Sequence, residues 1–252
     1  MDYTYASKLS KESGTALQDH TPYRQLIGRL LYLTNTRPDI SYAIRKLSQF
    51  LDCPTDAHMH AAYKVLRYLK GCPSLGIFFS SANDLKLTRF CDADWATCAD
   101  TRRSITGHCF YLRNSLISWK SKKQSTVARS SSEAEYRALA SATCQAQWLS
   151  FVMKDLSVPL TESITLFCDK HSAIHHLATN PIFHERTKHI EVDYHIARNQ
   201  HLLGLTHLMP VSSNNQLADF LTKASASGPF TVNVSKLGLL DIHNLSLREG
   251  VT

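Results

Sequence analysis

The apolar residues of this chain change their period once, near residue 85, and that change limits the folds open to it. Before it they recur three and four apart: Leu26, Ile27, Leu30, Leu31 and Leu33, then Ile40, Ala43, Ile44, Leu47, Phe50 and Leu51, then Ala61, Ala62, Val65, Leu66 and Leu69. Such spacing puts side chains on one helical face, so three helices are expected. Thr21 followed by Pro22, and Thr36 ahead of Pro38, mark starts, and Gly71 with Pro73 marks a stop. The links are short, which predicts a small helical bundle.

Beyond residue 85 the texture is that of strands. Residues 85–91, 107–112 and 116–119 are short, aromatic and aliphatic runs between polar turns. A long helix follows, with Ser132 and Glu135 as its expected capping box and Ala138, Leu139, Ala142, Leu149, Val152 and Met153 along one face. Residues 164–168 then read as a strand, 170–178 as a helix stopped by Asn180-Pro181, 190–200 as a helix, and 205–209 as a fifth strand. Asn214 is the expected cap of a last helix with Leu217, Ala218, Phe220 and Leu221. The tail from Ala224 is weakly patterned and reads as a linker.

Composition excludes several classes. At 252 residues, with 43% hydrophobic and 19% charged residues, the chain can build a core. No run of eighteen apolar residues and no secretory leader occurs, so neither membrane insertion nor secretion is expected. Seven cysteines without a C-x-x-C pair indicate neither a disulfide framework nor a cysteine zinc site, and a reducing intracellular compartment, cytoplasmic or nuclear, is expected. The net charge of +7 favours a polyanionic partner. Between Asp100 and Glu133 no acidic residue occurs, while Arg102, Arg103, Arg113, Lys120, Lys122, Lys123 and Arg129 do. That strip is either a solvated face or a phosphate-contacting one.

Four carboxylates stand at element ends. Asp92 closes the first strand, with Asp94 two residues on and so on the same face. Glu135 shares the inward face of the long helix near its start, whereas Glu133 pairs with Arg137 at i+4. Asp169 ends the fourth strand, and Asp219 sits in a short apolar helix. Singly, each reads as a cap or a solvated acid. Together, beside a basic strip, they suit hard divalent cations, which bind carboxylate oxygens and can clamp both oxygens of an in-line phosphoryl displacement.

Histidine offers a rival centre, since eight of thirteen fall between His171 and His207, His175, His176, His184, His189 and His195 among them. His184-Glu185 misses the H-E-x-x-H signature by one residue, so hydrogen-bonded or surface histidines are the default. There is no phosphate-cradling Gly-x-x-x-x-Gly-Lys loop and no Gly-x-Ser-x-Gly elbow. Trp95, Trp119 and Trp148 are expected in the core.

The blocks Phe90-Cys-Asp-Ala-Asp-Trp-Ala, Asp100-Thr-Arg-Arg-Ser, Ile117-Ser-Trp-Lys-Ser-Lys-Lys-Gln, Ala128-Arg-Ser-Ser-Ser-Glu-Ala-Glu-Tyr-Arg-Ala-Leu, Phe167-Cys-Asp, His184-Glu-Arg-Thr-Lys-His-Ile-Glu and Gln216-Leu-Ala-Asp-Phe-Leu-Thr-Lys resemble, in order and spacing, the ribonuclease H region of copia-type LTR retrotransposon Pol polyproteins. Tyr23-Arg-Gln-Leu-Ile-Gly-Arg-Leu-Leu-Tyr-Leu and Thr36-Arg-Pro-Asp-Ile resemble the stretch closing the reverse transcriptase, and Lys236-Leu-Gly-Leu-Leu-Asp-Ile-His resembles the end of plant copia-like polyproteins.

The resemblance implies an α/β RNase H-like fold, a mixed five-stranded sheet flanked by helices and preceded by a small helical bundle. It implies a reverse-transcriptase remnant at 1–84, a ribonuclease H domain at 85–223 and a polyprotein tail at 224–252. It places the catalytic and metal-binding carboxylates at Asp92, Glu135, Asp169 and Asp219, with two Mg²⁺ ions, or Mn²⁺ in their place, as cofactor and no small-molecule cofactor. The implied reaction is hydrolysis of the RNA strand of an RNA–DNA hybrid, metal-activated water attacking phosphorus and a 3′ hydroxyl leaving. Arg102, Arg103, Lys120, Lys122, Lys123, Arg129, Arg186 and Lys188 are the expected substrate contacts, and the remainder of a reverse transcriptase is a further expected partner. The loop of many relatives that carries a mobile histidine before the last aspartate reads Val211-Ser-Ser-Asn-Asn here, many carry glycine where Arg113 stands, and no Asp-Asp pair of a polymerase occurs. The competing reading is an inactive, transposon-derived nucleic-acid-binding fragment.

Overall fold

Residues 9–79, 85–158, 160, 162–169, 188–225 and 227–241 are described in the computed structural model. Contacts divide the chain into two units: one holds Met1–Phe79, Cys98–Arg102 and Lys223–Thr252, the other Ser80–Thr97 and Arg103–Thr222.

The first unit contains α1 (Thr21–Leu33), α2 (Ser41–Leu47) and α3 (Asp56–Gly71). The second predicted helical stretch is broken into a 3₁₀ turn at Pro38–Ile40, α2, and another 3₁₀ turn at Ser48–Phe50. Buried Tyr23, Ile27 and Leu30 of α1 and Ala61, Ala62 and Val65 of α3 form the core side, and the Tyr23 hydroxyl donates to Leu47 O (2.8 Å). His58 closes the α3 N-terminus: Thr55 N donates to its Nδ1 (3.1 Å), which makes Nε2 the donor to Ser10 O (3.0 Å). Its ring stacks on Phe50 at 3.9 Å, and burial holds its pKa below the usual value. A short antiparallel pair, β1 (Leu75–Ile77) with a strand at Leu239–Asp241, and a helix at Ser227–Lys236 complete this unit. Residues 227–241 are therefore structured where a linker was expected, with Leu237 and Leu239 buried.

The second unit is built on β2 (Leu87–Asp94), β3 (Ile105–Leu112), β4 (Ser115–Lys123), β5 (Ile164–Cys168) and β6 (Thr206–Pro210), with helices α4 (Ser131–Asp155), α5 (Lys188–Leu202) and α6 (Asp219–Thr222). The elements after it, named above by range, become α7 (Ser227–Lys236) and β7 (Leu239–Asp241). The sheet order is β4-β3-β2-β5-β6, antiparallel between β4, β3 and β2 and parallel between β2, β5 and β6. This is the mixed five-stranded sheet flanked by helices that the resemblance implies.

Alanine decides how α4 lies. Ala134, Ala138, Ala142 and Ala146, spaced by four, are all wholly buried and form a row small enough to bring the helix close to the sheet. Leu87, Arg89, Cys91 and Ala93 of β2 meet that helix, so the intervening Phe90 and Asp92 face the other way. On that second face Phe90 stacks on Phe167, 4.9 Å between centroids.

Three local expectations differ from the structure. The cap of α4 is Ser130, whose hydroxyl accepts from Glu133 N (3.2 Å) while Glu133 Oε2 accepts from Arg129 N (2.7 Å). The run Ser130-Ser-Ser-Glu carries the same S-x-x-E pattern two residues earlier, and here Glu133 reaches back to the backbone ahead of the cap. Glu133 is buried as well, bonded to Arg137 at 2.6 Å. Asn214 lies inside a 3₁₀ turn, Ser213–Asn215, instead of capping a long helix. Trp95 and Trp148 are about half exposed (47% and 55%), contrary to the expected core placement; Trp95 keeps its polar edge satisfied by donating to Ala128 O (3.0 Å). The predicted helix at 170–178 lies outside the described residues.

Candidate active site

Register sets the C-terminal ends of β2 and β5 side by side. Strands β2 and β5 run parallel with Phe90 opposite Phe167, and two residues further each chain reaches an aspartate, Asp92 within β2 and Asp169 directly after β5. The C-terminal end of parallel strands is where side chains leave the sheet toward a crevice.

Glu135 arrives from α4. Its carboxylate, the Cys168 thiol and the Asp169 carboxylate each offer a ligand atom within 4.8 Å of the others. Glu135 and Cys168 are 2% exposed and Asp169 is half-buried, with its Oδ1 buried and lacking a hydrogen-bond partner among the described residues. Two carboxylates and a thiol at this spacing form a candidate metal-binding cluster. Among the described residues it is the one such group of three or more, and Asp92 and Asp219 are not members.

Asp92 is held instead by Thr222 of α6. The Thr222 hydroxyl donates to Asp92 Oδ2 and lies 3.2 Å from the backbone carbonyl of Asp219, one turn earlier in α6. Gln216 fixes the approach to α6: its Nε2 donates to Cys91 O (3.0 Å) and its Oε1 accepts from Ala218 N (3.2 Å). Asp94 continues the Asp92 face of β2, half-buried, opposite Ile105.

Behind this edge lies an unusual core. Arg89 is completely buried, donates to Ala142 O (2.9 Å) and Thr143 Oγ1 (3.3 Å), sits over the Phe110 ring and makes no ion pair among the described residues. Burial pulls its pKa down to about 9, so it remains a cation at neutral pH. His108, opposite Cys91 and Lys120, has both ring nitrogens buried without hydrogen-bond partners among the described residues, and burial, then Lys120 and Arg89, push its pKa down to about 3.

The basic residues divide. Lys120, Lys122 and Lys123 all belong to β4, which extends four residues beyond the predicted strand because its ladder with β3 runs on to Ile105 opposite Lys123. Lys122 and Lys123 line a cleft of ≈ 430 Å³ with Thr126, Arg137, Ser141 and Asp193. Arg129 is exposed just before α4, and Arg103 is half-buried ahead of β3. Arg102, exposed with a backbone φ of 53°, belongs to the first unit. Arg186 and the side chain of Lys188 lie outside the described residues, as do His171, His175, His176, His184 and the side chain of His189.

Cys168, Thr222, Gln216 and Gln124 were not legible as site residues. Gln124 donates to Thr106 Oγ1 and Ala134 O, both at 3.0 Å, tying the end of β4 to α4. The available signal for Cys168 was its place between a strand and Asp169.

No family model matches the chain. It is 46% identical over 232 residues to the retrovirus-related Pol polyprotein from transposon RE1 of Arabidopsis thaliana, covering 92% of this chain and 16% of that protein. The transposon RE2 polyprotein of the same plant is 44% identical over 93% of this chain and 16% of its own length. The chain thus spans about one sixth of the length of these relatives. Among solved structures, the RNase H1 of the halophilic archaeon Halobacterium salinarum NRC-1 aligns with a TM-score of 0.41 at 15% identity, over 54% of this chain and 94% of that one.

Proposed function

The chain belongs to the retrotransposon-related Pol polyproteins, and from that membership we propose that its sheet-bearing unit hydrolyses the RNA strand of RNA–DNA hybrids with a divalent metal cofactor. The observation that carries this reading is the meeting of Glu135 and Asp169 at the end of β5, beside the Asp92 end of β2. The donor set fits a hard cation, since the buried Asp169 Oδ1 has no hydrogen-bond partner among the described residues and carboxylate oxygens are what Mg²⁺ prefers.

Asp92, Glu135, Asp169 and Asp219 are the residues proposed to hold Mg²⁺ or Mn²⁺. When bound, such ions supply Lewis-acid stabilisation of phosphate charge and a more acidic water. The remaining work belongs to the chain. Thr222 restrains the Asp92 carboxylate by its hydrogen bond, and Gln216 ties the α6 approach to the β2 backbone. Burial of Glu135 excludes competing water from its oxygens. Lys120, Lys122, Lys123, Arg103 and Arg129 of this unit are proposed to contact backbone phosphates, which position a duplex without reading its sequence; Arg102, Arg186 and Lys188 belong to the same proposal. RNA would be told from DNA by its 2′-hydroxyls across a shallow minor groove. The segments 1–84 and 224–252 are proposed to be the reverse-transcriptase remnant and the polyprotein tail.

The test is incubation of the purified chain with a labelled hybrid, with Mg²⁺ or with EDTA. Metal-dependent cleavage confined to the RNA strand is the expected outcome. Hybrid binding without cleavage would leave the catalytically silent fragment as the correct reading.

A further inference from the structure

Cys168 is the one member of the metal cluster that a magnesium site does not need. Mg²⁺ demands near-octahedral oxygen ligands, whereas thiolate sulfur selects softer ions. Yet the Cys168 ligand atom is within 4.8 Å of those of both Glu135 and Asp169. A tetrahedral zinc with sulfur at about 2.3 Å and oxygen at about 2.0–2.2 Å would draw the three ligand atoms to about 3.5 Å from one another.

Two further features favour capture. Cys168 and Glu135 are both almost wholly buried and Asp169 is half-buried, so their ligand atoms face little competing water. Asp169 Oδ1, buried and without a hydrogen-bond partner among the described residues, is an acceptor that a cation would satisfy. The bland account of Cys168 is core packing, since it shares a buried cluster with Cys91, Leu166, Tyr136 and Tyr194. Packing alone requires a small apolar side chain and no ion, so the two accounts predict different metal behaviour.

We propose that Cys168, Glu135 and Asp169 form a mixed thiolate–carboxylate site for a thiophilic divalent cation of the zinc–cadmium class, in competition with Mg²⁺. Binding forms a metal–sulfur bond and releases the thiol proton to solvent. The competition rests on the proposed nuclease reading; the thiophilic site itself does not. An ion held by sulfur would occupy oxygens needed for Mg²⁺, giving a soft-metal off-switch on the same centre.

The experiment titrates the full chain with Cd²⁺ alone, reading the ultraviolet thiolate-to-cadmium charge-transfer band and the binding midpoint. Cys53 and Cys144, both exposed, are replaced by serine in every sample so that surface thiols do not contribute. The band is expected in this background and lost in Cys168→Ser. Asp169→Asn keeps the thiol, and its Cd²⁺ affinity is expected to fall at least tenfold. Excess Mg²⁺ is expected to move the midpoint to higher Cd²⁺. A band of equal intensity in Cys168→Ser overturns the proposal. Should that variant fail to fold, unchanged Cd²⁺ affinity in Asp169→Asn overturns it equally. A midpoint indifferent to Mg²⁺ overturns the competition. Absent hybrid cleavage with an intact, Cys168-dependent band would reject the nuclease reading and keep the soft-metal site.

Discussion

Asp92 faces Gly107 across the antiparallel β2–β3 ladder, and the space a side chain would fill at Gly107 is already taken by α6. A Cβ there would lie 2.6 Å from Thr222 Cγ2, 2.9 Å from Ala218 O and 3.0 Å from Leu221 Cβ. The missing side chain is what lets α6 come down on the sheet far enough for Thr222 to reach the Asp92 carboxylate. Gly107→Ala is therefore expected to push α6 outward, cost about 1–3 kcal/mol of unfolding free energy, and reduce hybrid cleavage. Urea denaturation and a cleavage assay on the same sample check it; unchanged stability would mean that α6 does not pack as described.

Asp169→Asn removes one charge from a cluster that repels itself when no cation is bound. Cleavage is expected to fall about a hundredfold or more, while the melting temperature without metal stays the same or rises. Added Mg²⁺ should raise the melting temperature of the native protein and not that of the variant, by ligand linkage. Unchanged cleavage removes Asp169 from the active site.

His108 sets a pH dependence. Its folded pKa of about 3 lies below the ordinary 6.5, so between these values the unfolded chain binds the extra proton. The stability contribution is fully present above pH 6.5 and is lost as pH falls toward 3, at roughly 1 kcal/mol per pH unit. His58, also held below its usual pKa by burial, acts with the same sign. Urea midpoints measured from pH 7 to pH 4 should fall, and His108→Leu should flatten the fall. Parallel curves for variant and native protein would show that His108 is accessible to protons in the fold.

Arg89 is a buried cation without an ion-pair partner among the described residues, and its side chain fills a wholly enclosed volume. Arg89→Met keeps most of that volume and removes the desolvated charge. The expected change lies between none and about 3 kcal/mol of added stability. A loss exceeding about 1 kcal/mol would show that the bonds to Ala142 O and Thr143 outweigh the desolvation.

Neutralising Lys120, Lys122 and Lys123 together should weaken hybrid binding and flatten the slope of log affinity against log salt, since fewer counterions are released. Cleavage at saturating hybrid should change less than affinity does. A salt series on the triple glutamine variant beside the native protein decides it, and an unchanged slope means that the strip is a solvated face.

What the sequence by itself determined follows from local periodicity. The helical spacing before residue 85, the short strands after it and the alanine row of α4 are set by near neighbours, so their order along the chain was readable, and so was the inward placement of Glu135 by helical spacing from Ala138 and Ala142. Tertiary structure decided which residues meet. Phe90 opposite Phe167 carries the ends of β2 and β5 to Asp92 and Asp169, a register between segments some seventy-seven residues apart that no local pattern encodes. Thr222 became Asp92's partner only because Gly107 lacks a side chain, and Cys168 joined Glu135 and Asp169 only because α4 lies flat on small residues. Trp95 and Trp148 were misread for the same reason, since an aromatic residue records that burial is favourable and not whether the fold provides a neighbour. The cap of α4 is the narrowest case: Ser130 and Ser132 each begin an S-x-x-E run, and only the structure shows Ser130 accepting from Glu133 N and Glu133 accepting from Arg129 N.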